Sequence, residues 1–183
     1  MNRAALAVAV LALAGLFPIA ARAVEEPAGY RDEPYRGAVP ATLEGARVIG
    51  PEEAFALWEA GETAFVDVLP QAPRPRGLPD GTIWRDKPRD SIPGAIWLPN
   101  VGYAKLAPAM EDYFRAGLET ATGGDPDRPI AIFCLEDCWM SWNAAKRALA
   151  YGYTDVSWLP EGTDGWVLWG YPLERVTPLP GHP

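Results

Sequence analysis

Short apolar strands alternate with helices along most of this chain, and that alternation limits the folds that the chain can adopt. Strands are predicted at 46–49, 63–69, 95–98, 128–133 and 156–159. Helices are predicted at 51–60, 110–121, 141–151 and 164–169. The pattern predicts an α/β fold with a parallel central sheet and helices on both faces. The reactive crevice of such a sheet lies at the carboxyl ends of its strands.

The first 23 residues have the composition of a cleavable secretory signal peptide. A short basic start is followed by an apolar run over 4–20, and an Ala-Arg-Ala sequence at 21–23 provides the small residues that signal peptidase recognises. The run is short for a membrane span and is interrupted by Gly15 and Pro18, which favours cleavage over anchoring. The sequence therefore predicts export to the periplasm and a processed chain that starts at Val24 and is not embedded in a membrane.

Charge and composition exclude several functions. The formal net charge is -8, and it becomes -10 when residues 1–23 are removed, because that segment holds two arginines and no acids. Such an acidic chain argues against nucleic acid as a partner. The remaining residues suffice for one domain with a sizeable core. The only histidine is His182 in a Pro-rich tail, which excludes a Cys-His hydrolase.

The two cysteines, Cys134 and Cys138, lie between a predicted strand and a predicted helix. A thiol at this junction is close to the unpaired amides of a helix N-terminus, which favour a thiolate. In an oxidising compartment the pair is a disulfide, a redox couple, or a nucleophile with a resolving partner. Two static interpretations stay open: a permanent staple, or Cys138 as a small buried apolar residue. No cofactor is predicted, and a metal site is disfavoured because no histidine or third cysteine completes it.

Four segments, in the correct order, resemble the rhodanese-like domain. Residues 91–95, Ser-Ile-Pro-Gly-Ala, are similar to the family's His-Ile-Pro-Gly-Ala, and residues 65–68 are similar to its Asp-Val-Arg strand end. Residues 162–166 and 170–173 are similar to its closing Gly-Gly-x-x-x-Trp and Gly-x-Pro-Val elements. The cysteine segment further resembles an exported subgroup named for a Cys-x-x-Cys-Trp motif (CXXCW) and associated with pyrroloquinoline quinone-dependent catabolism. Here, however, three residues separate the cysteines.

The resemblance implies a rhodanese-like domain at 45–175, after an extended lead-in at 24–44 and before the Pro-rich tail at 176–183. It implies that Cys134, at the strand end, is the catalytic nucleophile. It also implies a sulfur or thiol substrate and, as partner, a periplasmic quinoprotein dehydrogenase or its cytochrome. Cys138 lies later in the loop, and that position predicts that it acts second, as the resolving thiol. The remaining members of the predicted active-site loop are Leu135, Glu136, Asp137, Trp139, Met140 and Ser141.

The loop departs from the family pattern in its charge. Met140 stands where the sulfurtransferase loop normally has an arginine, and Glu136 and Asp137 are acidic. A close like-charge pair in a half-wet site costs on the order of 1 kcal/mol, which a helix dipole worth ~0.3–1 kcal/mol does not reliably offset. We therefore exclude a phosphatase and predict slow turnover of thiosulfate. The same carboxylates raise the thiol pKa that the helix lowers, so the net direction stays open.

Asp67, Arg85 and Arg89 are predicted to support the loop. Asp67 is expected to accept backbone hydrogen bonds from it, and the arginines either add the missing positive charge or are solvated. Trp139 and Trp142 either form an apolar rim for a partner or are half-buried. Two functions follow: an exported thiol enzyme, sulfurtransferase-like or thiol-redox, and a non-catalytic rhodanese-like module that binds a partner in the quinoprotein system. The first is narrowly favoured because a cysteine is retained at the strand end and a second one follows.

Overall fold

The computed structural model describes residues 24–183, so the predicted signal peptide lies outside the described residues. The strands are β1 (Arg47–Val48), β2 (Ala64–Asp67), β3 (Arg89–Ser91), β4 (Ile96–Trp97), β5 (Ile130–Phe133), β6 (Val156–Leu159) and β7 (Glu174–Val176). The helices are α1 (Pro51–Ala60), α2 (Pro108–Thr122), α3 (Trp139–Ala150) and α4 (Gly162–Leu168). Within 24–183, none of these helices has the length and apolar character needed to span a membrane.

Five strands form one parallel sheet in the order β1-β6-β5-β2-β4. The predicted α/β fold with a parallel central sheet is therefore confirmed. Asp67 at the end of β2 is in register with Phe133 at the end of β5. The residues that follow these two positions consequently leave the sheet at the same edge, and one of them is Cys134.

Alternating side chains of the central strands supply two separate apolar cores. Val66 and Ile132 belong to the core under α2 and α3, whereas Phe65 and Phe133 belong to the core under α1 and α4. This alternation follows from the two-residue period of a strand, which places successive side chains on opposite faces. The predicted core tryptophans are confirmed as buried: Trp97, Trp158 and Trp166.

A second, two-stranded sheet was not predicted. Strands β3 and β7 pair in antiparallel orientation, with Arg89 opposite Val176 and Ser91 opposite Glu174. Residues 89–90 have polar side chains that give no strand pattern, so the sequence does not predict β3. The chain beyond β7 also contacts the domain, since the amide of Leu179 donates to the Trp97 carbonyl oxygen over 2.9 Å.

Helix α3 begins at Trp139 and not at the predicted Ser141. Cys138 is consequently the residue that precedes the helix, in an extended conformation. The position is important because a side chain there faces the free amides of the first helical turn.

Candidate functional site

The two cysteines are free thiols at the two ends of one loop. Cys134 is the first residue after β5 and is fully buried, and Cys138 is 2% exposed at the start of α3. The sequence left open whether the two sulfurs meet; in the structure each thiol shifts the pKa of the other, so the two side chains are neighbours. The site therefore places two thiols together at a helix N-terminus.

The surroundings of Cys138 favour its thiolate. The Cys134 thiol donates a hydrogen bond to it, and the backbone amides of Met140, Leu135 and Ser141 also act on its sulfur. Together these groups lower the pKa of Cys138 from 9.0 to about 6, although burial opposes them. The two helical amides belong to the second and third residues of α3, where capping interactions are normally made.

The surroundings of Cys134 have the opposite effect. Burial raises the pKa of Cys134 well above 9.0, and the hydrogen bond to Cys138 and the charges of Cys138 and Asp67 raise it further. The sequence analysis expected the Cys134 sulfur to face the amides of the loop, but of these only the Leu135 amide lowers its pKa. The reason is the early start of α3, which aligns the helical amides with Cys138.

The backbone of Cys134 is held by three donors. Its carbonyl oxygen accepts from the amide of Thr163 over 3.1 Å, from the Thr163 hydroxyl over 3.4 Å and from the Arg89 guanidinium over 3.4 Å. Gly162 lies against the same carbonyl, and a β-carbon there would overlap it. The closing Gly-Thr segment thus fixes this end of the loop.

Arg89 connects the loop to a buried carboxylate. Its Nε donates to Asp67 Oδ2 over 2.6 Å, and the Ser91 hydroxyl donates to the same oxygen over 2.6 Å. Burial raises the pKa of Asp67, and the charge of Arg89 opposes that rise. The predicted role of Asp67 needs correction: among residues 24–183 its backbone donor is Leu69, over 2.9 Å, and it reaches the cysteine loop through Arg89.

The predicted arginines do not bring free positive charge to the sulfurs. Arg89 is 7% exposed and paired with Asp67, so it supports the backbone of the loop. Arg85 is exposed in the irregular segment at 70–88. Glu136 and Asp137 are also exposed, at the outer turn of the loop, where Asp137 has a left-handed φ of 52°.

Of the two alternatives for Trp139 and Trp142, an apolar rim and half-buried packing, the structure agrees with packing, and it buries both side chains more completely than expected. Trp139 is 5% exposed and Trp142 is fully buried, and their rings pack edge to face with centroids 5.6 Å apart. Ser141 is also buried; its hydroxyl donates to the Cys138 carbonyl oxygen over 2.9 Å and accepts from the Trp158 indole over 3.0 Å. These residues hold the first turn of α3 rather than a ligand.

The lead-in crosses directly over the cysteine loop. The amide of Trp139 donates to the Tyr35 carbonyl oxygen over 2.9 Å, and the amide of Gly37 donates to the Asp137 carbonyl oxygen over 2.9 Å. Between these two contacts, Arg36 forms an isolated antiparallel bridge with Cys138. The sequence analysis interpreted the lead-in as extended, and it missed that this segment covers the site.

Asn143 anchors the lead-in to α3. Its fully buried amide side chain accepts from the Arg31 amide over 2.8 Å and donates to the carbonyl oxygens of Arg31 and Gly102 over 2.8 Å and 2.9 Å. The sequence could have indicated this contact. An asparagine among the apolar residues of a buried helix needs hydrogen-bond partners for its amide, and these come from another segment.

A small pocket of about 160 Å³ opens beside Cys138, and Cys134 is not part of its wall. The wall is mostly apolar, and its only charged residue is Arg36 from the lead-in, within the part of the chain that the structure describes. Its lining residues are Tyr35, Arg36, Leu69, Pro70, Tyr103, Leu135, Cys138 and Met140. A larger pocket of about 540 Å³ lies near His182, and no cysteine lines it.

Comparisons with known proteins agree on the fold. A family model described as "Rhodanese-like domain" matches residues 51–168. A thiosulfate sulfurtransferase from Pseudomonas aeruginosa is 21% identical, with a TM-score of 0.48, over 73% of this chain and 21% of its own. The polysulfide-sulfur transferase homodimer from Wolinella succinogenes is 19% identical, with a TM-score of 0.46, over 71% of this chain and 79% of its own. This chain thus spans about a fifth of the first of these proteins. The comparison with curated proteins found no match.

Proposed function

The chain belongs to the rhodanese-like domain family, and from this premise we propose that its cysteine pair performs thiol chemistry, either thiol-redox or sulfurtransferase-like. The observation that carries the proposal is the pair of free, buried cysteines at the two ends of one loop, with Cys138 at the start of α3. Thiol–disulfide exchange requires a thiolate that attacks the substrate and a second thiol that resolves the mixed disulfide, and a thiolate beside a protonated thiol supplies both. The fold itself supports a sulfurtransferase-like role.

Thiol-redox chemistry is the better supported of the two. Sulfur transfer from an anionic donor needs positive charge at the sulfur, whereas the loop carries Glu136 and Asp137, and Arg89 is paired with Asp67. Exchange with a neutral disulfide needs only a thiolate and a nearby second thiol, and Cys138 and Cys134 supply both.

The mass and thiol titre of the purified protein test this proposal. After incubation with a disulfide reagent, the redox function predicts the loss of two titratable thiols and about 2 Da, as Cys134 and Cys138 form a disulfide. A sulfurtransferase incubated with a sulfur donor instead gains about 32 Da as a persulfide. A folded protein that retains both thiols unchanged under both treatments contradicts the proposal.

We further propose that the protein acts in the periplasm, as an accessory of a quinoprotein dehydrogenase or its cytochrome partner in pyrroloquinoline quinone-dependent catabolism. The support is the composition of residues 1–23 and the resemblance of the cysteine segment to the Cys-Trp subgroup. Cell fractionation and N-terminal sequencing test the export, with Val24 as the expected first residue. Deletion of the gene is expected to lower quinoprotein-dependent growth, and an unaffected strain contradicts the accessory role.

A non-catalytic module that binds a partner in the same system is the second candidate. The observation that favours it is the burial of both sulfurs, at 0% and 2% exposure. In that case a protein with both cysteines changed to serine would restore the deletion strain as well as the wild type does. The thiol proposal predicts that this double variant fails to restore it.

A further inference from the structure

We propose that Cys138 is the cysteine that attacks the substrate and that Cys134 is the buried resolving thiol, an assignment that rests on the proposed thiol chemistry. It reverses the order that the rhodanese-like resemblance implies. Two features of the site support it: access, and the position of the helix amides.

Access distinguishes the two sulfurs. Cys138 lines the pocket of about 160 Å³, whereas Cys134 is fully buried and absent from the wall of that pocket. A substrate that enters the pocket therefore meets Cys138 first. Cys134 is fully buried and interacts with Cys138, so it is placed to meet the sulfur of Cys138 rather than the incoming molecule.

The position of the helix also favours Cys138 as the charged sulfur. The first turn of α3 presents the amides of Met140 and Ser141 to the same sulfur, which is a favourable site for an anion. Cys134 receives no helical amide and is close to the carboxylate of Asp67, which disfavours a second negative charge.

The reaction is balanced with a disulfide as the oxidant. The Cys138 thiolate attacks one sulfur of the substrate, forms a mixed disulfide and expels the other half as a thiolate. Cys134 then loses its proton to the departing thiolate, attacks Cys138 and releases the second half. The substrate disulfide is reduced to two thiols, and the cysteine pair is oxidised to one disulfide.

The pocket indicates the substrate class. Its volume accommodates a small group, and its walls from Leu69, Pro70 and Met140 are apolar. Arg36, which is exposed, is the charged residue at this wall. The apolar walls therefore fit a small disulfide or thiosulfonate whose group next to the sulfur is apolar.

Methyl methanethiosulfonate, which is small and neutral and transfers an apolar methylthio group, is a suitable probe. The Cys138 thiolate displaces methanesulfinate from it, and Cys134 then gives its proton to solvent and displaces methanethiolate. At neutral pH the processed wild-type protein should therefore end as the Cys134–Cys138 disulfide, about 2 Da lighter. Cys134→Ser should retain a methylthio group of about 46 Da on Cys138, because the resolving thiol is gone. Cys138→Ser should gain no adduct while folded and should react at Cys134 only in denaturant.

Wild-type protein offers a second measurement that does not depend on the folding of a variant. Reduced protein is treated with less than one equivalent of iodoacetamide, unfolded and cleaved after Glu136, which separates the two cysteines. The label is expected on Cys138, at least tenfold in excess over Cys134. Preferential labelling of Cys134, or a methylthio adduct on Cys134 in folded Cys138→Ser, overturns the assignment while leaving thiol chemistry intact. The absence of any reaction in all folded proteins overturns the proposed function as well.

Discussion

The two ends of the cysteine loop carry the same functional group in opposite surroundings. At the Cys134 end, Arg89 and Thr163 hold the backbone carbonyl, and the sulfur is enclosed by the core. At the Cys138 end, the helix amides and a pocket formed with the lead-in surround the sulfur. The cysteine next to the start of the helix, and not the cysteine at the end of the strand, is therefore the one whose charged form is favoured.

Substitutions at the Cys134 end should destabilise the protein more than substitutions elsewhere in the site, and Gly162→Ala should have the largest effect. A β-carbon there would overlap the Cys134 carbonyl, and the φ of 53° is left-handed. We expect the free energy of unfolding to fall by about 3–5 kcal/mol in urea titrations.

Gly170→Ala is the matched control for that variant. Gly170 also has a left-handed φ, 77°, but its β-carbon would meet no atom within 4 Å. Its cost should be limited to about 1–2 kcal/mol of backbone strain. Equal losses of unfolding free energy in the two variants would mean that the overlap with the Cys134 carbonyl does not destabilise Gly162→Ala.

The Cys138 end depends on the lead-in, and Asn143→Ala tests that dependence. The variant leaves the Arg31 amide and two carbonyls without their buried partner, so we expect a loss of about 2–4 kcal/mol. Cys138 should also react faster with iodoacetamide, while the reactivity of Cys134 stays unchanged.

Lys146→Met serves as the control on the same helix. Lys146 contacts the lead-in through a single hydrogen bond to the Pro27 carbonyl oxygen over 3.0 Å. Loss of this hydrogen bond should lower the free energy of unfolding by less than about 1 kcal/mol. If Asn143→Ala leaves the reactivity of Cys138 at the level of this control, the lead-in does not restrict access to the thiol.

The pH dependence of stability should separate the two ends by sign. The pKa of Cys138 is lower in the folded state, so the reduced protein should gain stability as the pH rises from about 6 to 9 and lose it as the pH falls through 6. The pKa of Cys134 is raised, so its contribution is lost above about pH 9, where the unfolded thiol ionises. Cys138→Ser should lack the rise between pH 6 and 9, and an unchanged profile would contradict a thiolate at Cys138.

The smallest effect should come from the exposed acids of the loop. Replacing Glu136 with glutamine and Asp137 with asparagine, which tolerates a left-handed φ, should speed alkylation by iodoacetate about two- to fivefold at low salt. The rate with neutral iodoacetamide is the control and should not change. Thiosulfate turnover should rise in the double variant, and a wild-type rate that already equals it would refute the electrostatic argument.

The sequence predicted the fold better than it predicted the site. Apolar periodicity located the parallel strands and all four helices, because those elements are determined by local burial patterns. Strands β3 and β7 were not predicted, because their pairing joins polar residues about 85 positions apart, such as Asp90 and Arg175. Such pairing has no local signature.

Two features of the site were not predicted: the first residue of α3 and the contacts of the lead-in. The predicted start of α3 at Ser141 placed the helix amides two residues too far along the chain, and with that shift Cys138 does not directly precede the helix. The composition of the lead-in predicted an extended segment, but composition does not specify what a segment contacts. That information lies in Asn143 and Tyr103, whose partners are set by tertiary packing.

An NMR titration of protein labelled with ¹³C at the cysteine β-carbons tests the central claim most directly. The two resonances are assigned with Cys134→Ser and Cys138→Ser and followed from pH 4 to the onset of alkaline unfolding. The account predicts that Cys138 titrates first, with a pKa of about 6, and that Cys134 stays protonated beyond pH 9. Titration of Cys134 below Cys138 would contradict the account and return the nucleophile to the strand end.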